Sequence, residues 1–123
     1  MRAWALLIAY VVALVVACAS AGQGDSQTMK PRWLAAIVYK QFRPAGMWAV
    51  QKAYCIVGRE STWNPRAISQ TGDYGLFQIN YSAHHHSFDW GRILEPHYNT
   101  YVAWRLSNRG RNWQPWAGGS YSC

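Results

Sequence analysis

The residues that most constrain this chain are the first 22, because they decide how much of it is left to fold. After Met1 and Arg2 an apolar stretch runs from Ala3 to Ala17, broken only by the amphipathic Trp4 and Tyr10, and it ends in the small-residue run Cys18-Ala19-Ser20-Ala21-Gly22. A basic start, a short apolar core and a small-residue exit make the pattern of a secretory signal peptide, and the core is shorter than the ~20 apolar residues of a spanning helix. The expectation is a signal peptide over residues 1–21, cut after Ala21. Two alternatives stand beside it: an uncleaved N-terminal anchor, and a lipoprotein signal ending at Ala17, since Val15-Val16-Ala17-Cys18 fits a permissive lipobox. The expected location is outside the cytoplasm, secreted or in the cell wall, or else lipid-anchored at Cys18 or held by the uncleaved segment. Roughly 100 residues then remain, enough for one domain and too few for two.

Export changes how the 3 cysteines read. Loss or lipidation of Cys18 leaves Cys55 and Cys123, and thiols outside the cytoplasm tend to pair. A bond between them closes a loop of about 69 residues, which restricts the unfolded chain by roughly 4 kcal/mol in the chain-entropy model. Two free buried thiols are the alternative.

Half the residues are hydrophobic and 14% are charged, a balance that excludes a disordered tail. The formal charge is +7, from 12 Lys and Arg against 5 Asp and Glu, so partners are expected to be anionic. With 8 Trp, 8 Tyr and 3 Phe, the same charge raises a single-strand nucleic-acid binder as one reading. Export argues against nucleic acid, and the bases are scattered along the chain, which suits attraction to an anionic cell envelope. No phosphate loop, dinucleotide fingerprint or Ser-His-Asp arrangement is visible, so no cofactor is expected. His84, His85 and His86 are consecutive on a polar loop and cannot readily converge on one ion, and Cys-x-x-Cys and His-Glu-x-x-His spacings are absent. No metal is expected either.

Residues 22–30 are polar and without apolar period, a solvated lead-in, and the domain proper is expected over 31–123. Trp33 to Phe42 reads as a first helix, with Pro31 placed to start it and Pro44 to stop it. A second helix runs from Met47 to about Ser61, where Val50, Ala53, Tyr54 and Val57 keep the spacing of one buried face. Glu60 falls at the edge of that stripe, three residues past Val57, with Pro65 forcing Asn64 out of helical geometry. Partial desolvation and the negative end of the helix dipole both raise the pKa of a carboxyl placed there. That is how a carboxylic acid stays protonated near neutral pH and donates a proton.

Ser69-Gln70-Thr71-Gly72-Asp73 is a cluster of turn formers, and the near-alternating residues from Leu76 to Tyr81 predict a short hairpin. If Phe77, Ile79 and Tyr81 face the core, the amides of Gln78 and Asn80 lie on the other face, where they can hydrogen-bond a sugar or simply satisfy the hairpin backbone. Ile93 to Ser107 predicts a third helix with Leu94, Tyr98, Tyr101, Val102 and Arg105 on one face. Trp63, Trp90, Trp104, Trp113 and Trp116 are expected mostly in the core, one or two of them free to stack on sugar rings. The fold class is therefore α+β, mainly helical, with a small β-hairpin beside the helix that carries Glu60.

The segment Cys55-Ile56-Val57-Gly58-Arg59-Glu60-Ser61-Thr62-Trp63-Asn64-Pro65, followed by Thr71-Gly72-Asp73-Tyr74-Gly75-Leu76-Phe77-Gln78-Ile79-Asn80, resembles the lysozyme-like fold shared by lytic transglycosylases and chicken-type lysozymes. The Glu-Ser-x-x-Asn-Pro piece looks like the transglycosylase signature, and Asp-Tyr-Gly-x-x-Gln-Ile-Asn looks like the lysozyme hairpin. Asn99 through Trp116 is similar to small secreted actinobacterial and phage members. The resemblance implies cleavage of the bond between N-acetylmuramic acid and N-acetylglucosamine in peptidoglycan. It also implies Glu60 as the acid, Asp73 as a stabiliser or nucleophile for the sugar cation, and Ser61, Tyr74, Gln78 and Asn80 as substrate-binding residues. Many transglycosylases lack an Asp like Asp73 and form an anhydro sugar by internal attack, so both hydrolysis and transglycosylation fit this chain. The implied partners are peptidoglycan strands and the anionic envelope, met by a monomer. A non-catalytic glycan-binding module is the rival class, and retention of Glu60 speaks against it.

Overall fold

The structure, a computed structural model, describes residues 30–117 and residue 123. The signal sequence expected over 1–21 and the lead-in up to residue 29 lie outside the described residues.

Helix α1 spans Arg32–Phe42 and follows Pro31, whose φ of −61° already matches helical entry. It buries Leu34, Ala35, Val38 and Phe42, one face of a 3.6-residue repeat. A 3-10 turn over Arg43–Ala45, with Pro44 inside it, ends that helix and feeds α2, Met47–Ser61. Helix α2 buries Ala49, Val50, Ala53, Ile56 and Val57, the face anticipated from the apolar period. Tyr54 ties the two helices together, its hydroxyl donating to Ala35 O at 3.0 Å.

Helix α2 stops before Pro65 can act on it. Thr62 (φ 49°) and Trp63 (φ 61°) both take left-handed backbone, a cost on the order of 1 kcal/mol each. Burial of the Trp63 ring, edge-on to Tyr54 at 5.5 Å, offsets that cost.

Strand β1 (Asp73–Tyr74) pairs antiparallel with β2 (Ile79–Asn80), with Asp73 opposite Asn80 and Tyr74 opposite Ile79. The alternation expected from Leu76 to Tyr81 is corrected here. Leu76 and Phe77 are both buried, Gln78 takes a left-handed φ of 49°, and Tyr81 is 43% exposed. A positive φ in the turn breaks the two-residue period, so the paired strands are only two residues long. Tyr81 opens the single-turn helix α3, Tyr81–His84, capped by Asn80, so the polar loop expected at His84 begins as helix.

Helix α4 spans Pro96–Leu106, starting later than Ile93 because a 3-10 turn occupies Trp90–Arg92 and Pro96 takes the first helical position. Its buried residues are Asn99, Thr100, Val102 and Ala103. This corrects the expected face: Tyr98 and Tyr101 are half-buried and Arg105 is exposed, while two polar residues go inside. Helix α1 packs against both α2 and α4.

The core closes on an aromatic cluster. Phe42 meets Phe77 at 5.8 Å and Trp113 at 5.2 Å, and Trp116 meets Phe77 at 6.0 Å and Trp113 at 5.7 Å. Both indole N–H groups are satisfied, Trp116 by Phe77 O at 2.8 Å and Trp113 by Gly110 O at 3.1 Å. One cluster thus joins α1, the hairpin and the C-terminal segment. A Cys55–Cys123 disulfide fixes the last residue to α2. Trp90 and Trp104 are only half-buried, outside the fully buried core where Trp63, Trp113 and Trp116 sit.

Candidate active site

Glu60 is the penultimate residue of α2 and is half-buried. It lies on the wall of an open cavity of about 370 Å³ between α2 and the C-terminal segment, shared with Trp48, Lys52, Ile56, Arg111, Trp113 and Trp116. Burial pushes its carboxyl above the ordinary glutamate range, and the negative charge of Asp73 pushes it in the same direction. Desolvation was anticipated from the stripe-edge position; the second cause is the neighbouring carboxylate.

Asp73, at the start of β1, goes the other way. Burial raises it, but the hydroxyls of Ser69 and Thr71 and the amide of Asn80 outweigh that and hold it below the ordinary aspartate range. Ser69 Oγ donates to Oδ2 at 2.6 Å, Thr71 Oγ1 donates to the same oxygen, and Asn80 Nδ2 donates to Oδ1 at 2.9 Å. The turn read as a mere chain reversal therefore wraps a hydroxyl pair around the carboxylate. The strand register supplies the third donor by setting Asn80 opposite Asp73.

Three of the four residues expected to bind substrate have their side chains engaged in hydrogen bonds within the protein, and of these only Ser61 is buried. Ser61 is buried and its hydroxyl donates back to Val57 O at 3.1 Å. Gln78 spends its amide on Ala67 O (3.1 Å) and Gly75 O (3.0 Å), holding the turn closed. Asn80 uses its nitrogen on Asp73 and Thr71 O and its oxygen on Ala83 N–H. Of the two roles open to these amides, the bonds they make are those that brace the hairpin, with Gln78 in left-handed backbone. Tyr74 keeps a half-exposed ring, edge-on to Trp90 at 5.2 Å, and Trp90 in turn meets Tyr81 at 5.2 Å.

Asn99 is the residue that sequence reasoning missed. Fully buried on α4, it donates to Tyr74 O and Ile93 O, both at 2.9 Å, and accepts from Phe77 N–H at 2.9 Å. It clamps the hairpin that carries Asp73 onto the helical body. Gly75 is glycine for the same reason. At φ +76° it sits so close that a Cβ would lie 2.4 Å from Asn99 Nδ2.

Glu60, shifted upward in part by the charge of Asp73, and Asp73, shifted downward, show the divergence of two carboxyl groups that lysozyme exemplifies in glycoside cleavage. The fold and the site thus define a glycosidase-type domain. A family model described as a lysozyme like domain matches residues 42–118, more than half of the chain, and the chain belongs to that family, whose members act on the glycan of peptidoglycan. No curated protein and no solved structure matches the chain.

Proposed function

We propose that this protein is an exported lytic transglycosylase that cleaves the bond between N-acetylmuramic acid and N-acetylglucosamine. Glu60 gives its proton to the glycosidic oxygen as the bond to the muramic sugar breaks. The cation left behind is supported by Asp73, and a hydroxyl of the same sugar attacks it, returning a proton to Glu60 and closing an anhydro ring. The observation that carries this reading is the occupancy of Asp73. Both of its oxygens already accept hydrogen bonds, from Ser69, Thr71 and Asn80. Such a carboxylate stays ionised and supports the cation electrostatically, and Glu60-Ser61-Thr62-Trp63-Asn64-Pro65, the longer match to the transglycosylase signature, favours internal attack over a covalent step on Asp73. The Cys55–Cys123 bond supports export, since disulfides persist outside the cytoplasm.

Digestion of purified sacculi with identification of product ends by mass spectrometry tests the proposal. Anhydro ends, together with an Asp73→Asn loss of about 100-fold or less, are expected. Reducing ends with a near-dead Asp73→Asn variant would make the protein a muramidase. Intact sacculi would leave a glycan-binding module.

A further inference from the structure

Along the half-buried edge of α4 runs an arginine and aromatic ladder that cleavage does not use. Tyr98, Tyr101 and Trp104 recur every three residues with ring centroids 6.0 and 6.1 Å apart. A guanidinium lies over each ring: Arg92 at 4.5 Å from Tyr98, Arg105 at 5.9 Å from Tyr101, and Arg109 at 5.6 Å from Trp104. Arg92 is paired with Glu95 at 3.1 Å. Among the described residues no carboxylate pairs with Arg105 or Arg109, and both are exposed.

One of these guanidiniums is tethered by a hydrogen bond and the other is aimed by its backbone. Arg105 Nη1 donates to the Tyr101 hydroxyl at 2.9 Å. Arg109 is turned back over the preceding helical turn by left-handed backbone at Asn108 (φ 47°) and at itself (φ 60°), and its N–H bonds Trp104 O at 2.8 Å. Tyr101, Trp104, Arg105, Asn108 and Arg109 line an open surface depression of about 350 Å³ that shares no residue with the cavity at Glu60.

The lining is rich in donors and has no carboxylate: two guanidinium forks, the Asn108 amide, and the Tyr101 proton, free because its oxygen accepts from Arg105. With donors in excess, such a site favours a group that accepts several hydrogen bonds. One fork saturates a planar carboxylate, whereas two forks straddle a tetrahedral phosphate. The rings of Tyr101 and Trp104 give an apolar wall for the carbon chain between phosphates. We propose that this depression binds a phosphodiester unit of an anionic envelope polymer built of polyol phosphates, and so holds the protein on the wall independently of Glu60.

Titration calorimetry of the purified chain with a synthetic oligo(glycerol phosphate) tests this without any cleavage step, with oligogalacturonate and oligothymidylate titrated in parallel. Arg105→Gln with Arg109→Gln is expected to weaken binding at least tenfold and to flatten the plot of log affinity against log salt by ~1.4, the release of counterions from two cations. Arg109→Lys, which keeps the charge and removes the fork, is expected to weaken it at least threefold. That single variant decides the matter if circular dichroism shows the double variant unfolded. Absence of binding by the unmutated protein, or unchanged affinity in the variants, overturns the proposal. Tighter binding of oligogalacturonate replaces phosphate by carboxylate as the ligand, and tighter binding of oligothymidylate replaces the envelope polymer by nucleic acid; either result also overturns it.

Discussion

Asn99→Ala removes the clamp between α4 and the hairpin, and its cost can be worked from the bonds it breaks. The Phe77 N–H is left as a buried orphan donor, and the carbonyls of Tyr74 and Ile93 each lose an acceptor role. At about 1–3 kcal/mol for the orphan donor and about 1 kcal/mol for each carbonyl, the loss is roughly 3–5 kcal/mol, a large part of the ~5–15 kcal/mol that holds a domain folded. Gly75→Ala reaches the same place from the other side. Its Cβ would stand 2.4 Å from Asn99 Nδ2 and 2.8 Å from Asn99 Cγ, so Asn99 must give way and lose the same bonds. The positive φ adds about 1–2 kcal/mol. Combined with Asn99→Ala, however, the two closest contacts of the new methyl are gone, leaving a tight one to Ile93 O at 3.2 Å and the backbone penalty. The double variant should therefore be more stable than the sum of the single losses implies, by roughly the 3–5 kcal/mol of bonds that both single variants lose. Urea unfolding followed by circular dichroism under non-reducing conditions measures all three. Additive losses, or an Asn99→Ala cost below about 1 kcal/mol, would refute the clamp.

The raised Glu60 carboxyl is a stability statement as well as a catalytic one. It contributes stability below the ordinary glutamate pKa that is lost as pH rises through its higher folded value, so Glu60→Gln should melt above the unmutated protein at pH 8, the gap closing below about pH 4. Asp73 has the opposite sign, its contribution present above the ordinary aspartate range and lost as pH falls through its depressed value. Ser69→Ala with Thr71→Val should move the acid limb of the pH–activity profile upward, and an unmoved limb would remove those hydroxyls from the role. Reduction of Cys55–Cys123 releases a loop worth roughly 4 kcal/mol. Melting is expected to fall by more than about 10 °C on reduction, and an unchanged midpoint would show that the loop restrains nothing.

Helix α2 was legible because its apolar residues keep one period and Gly46 and the Thr62–Pro65 turn bound it, and Glu60 was legible because it sits at that stripe's edge. The buried face of α4 was not. Periodicity put Tyr98 and Tyr101 on one face with Val102, but both rings are only half-buried at the edge of the core, with Arg92 and Arg105 lying over them. Asn99 and Thr100 are buried instead, in the case of Asn99 by hydrogen bonds to residues 6 to 25 positions away that no local pattern encodes. Ser69 and Thr71 read as turn formers because hydroxyls embrace a carboxylate only after the turn has curled. The bracing role of Gln78 and Asn80 was one of two left open, because alternation assumes extended backbone and Gln78 is left-handed.

The most direct test of Glu60 as the acid is release of soluble fragments from purified sacculi by the unmutated protein and by Glu60→Gln, with circular dichroism confirming that both are folded. The amide keeps the shape of the side chain and cannot donate the proton, so release should fall at least ~100-fold. A folded Glu60→Gln variant that keeps more than about a tenth of the activity would contradict the account and move the chemistry to another residue.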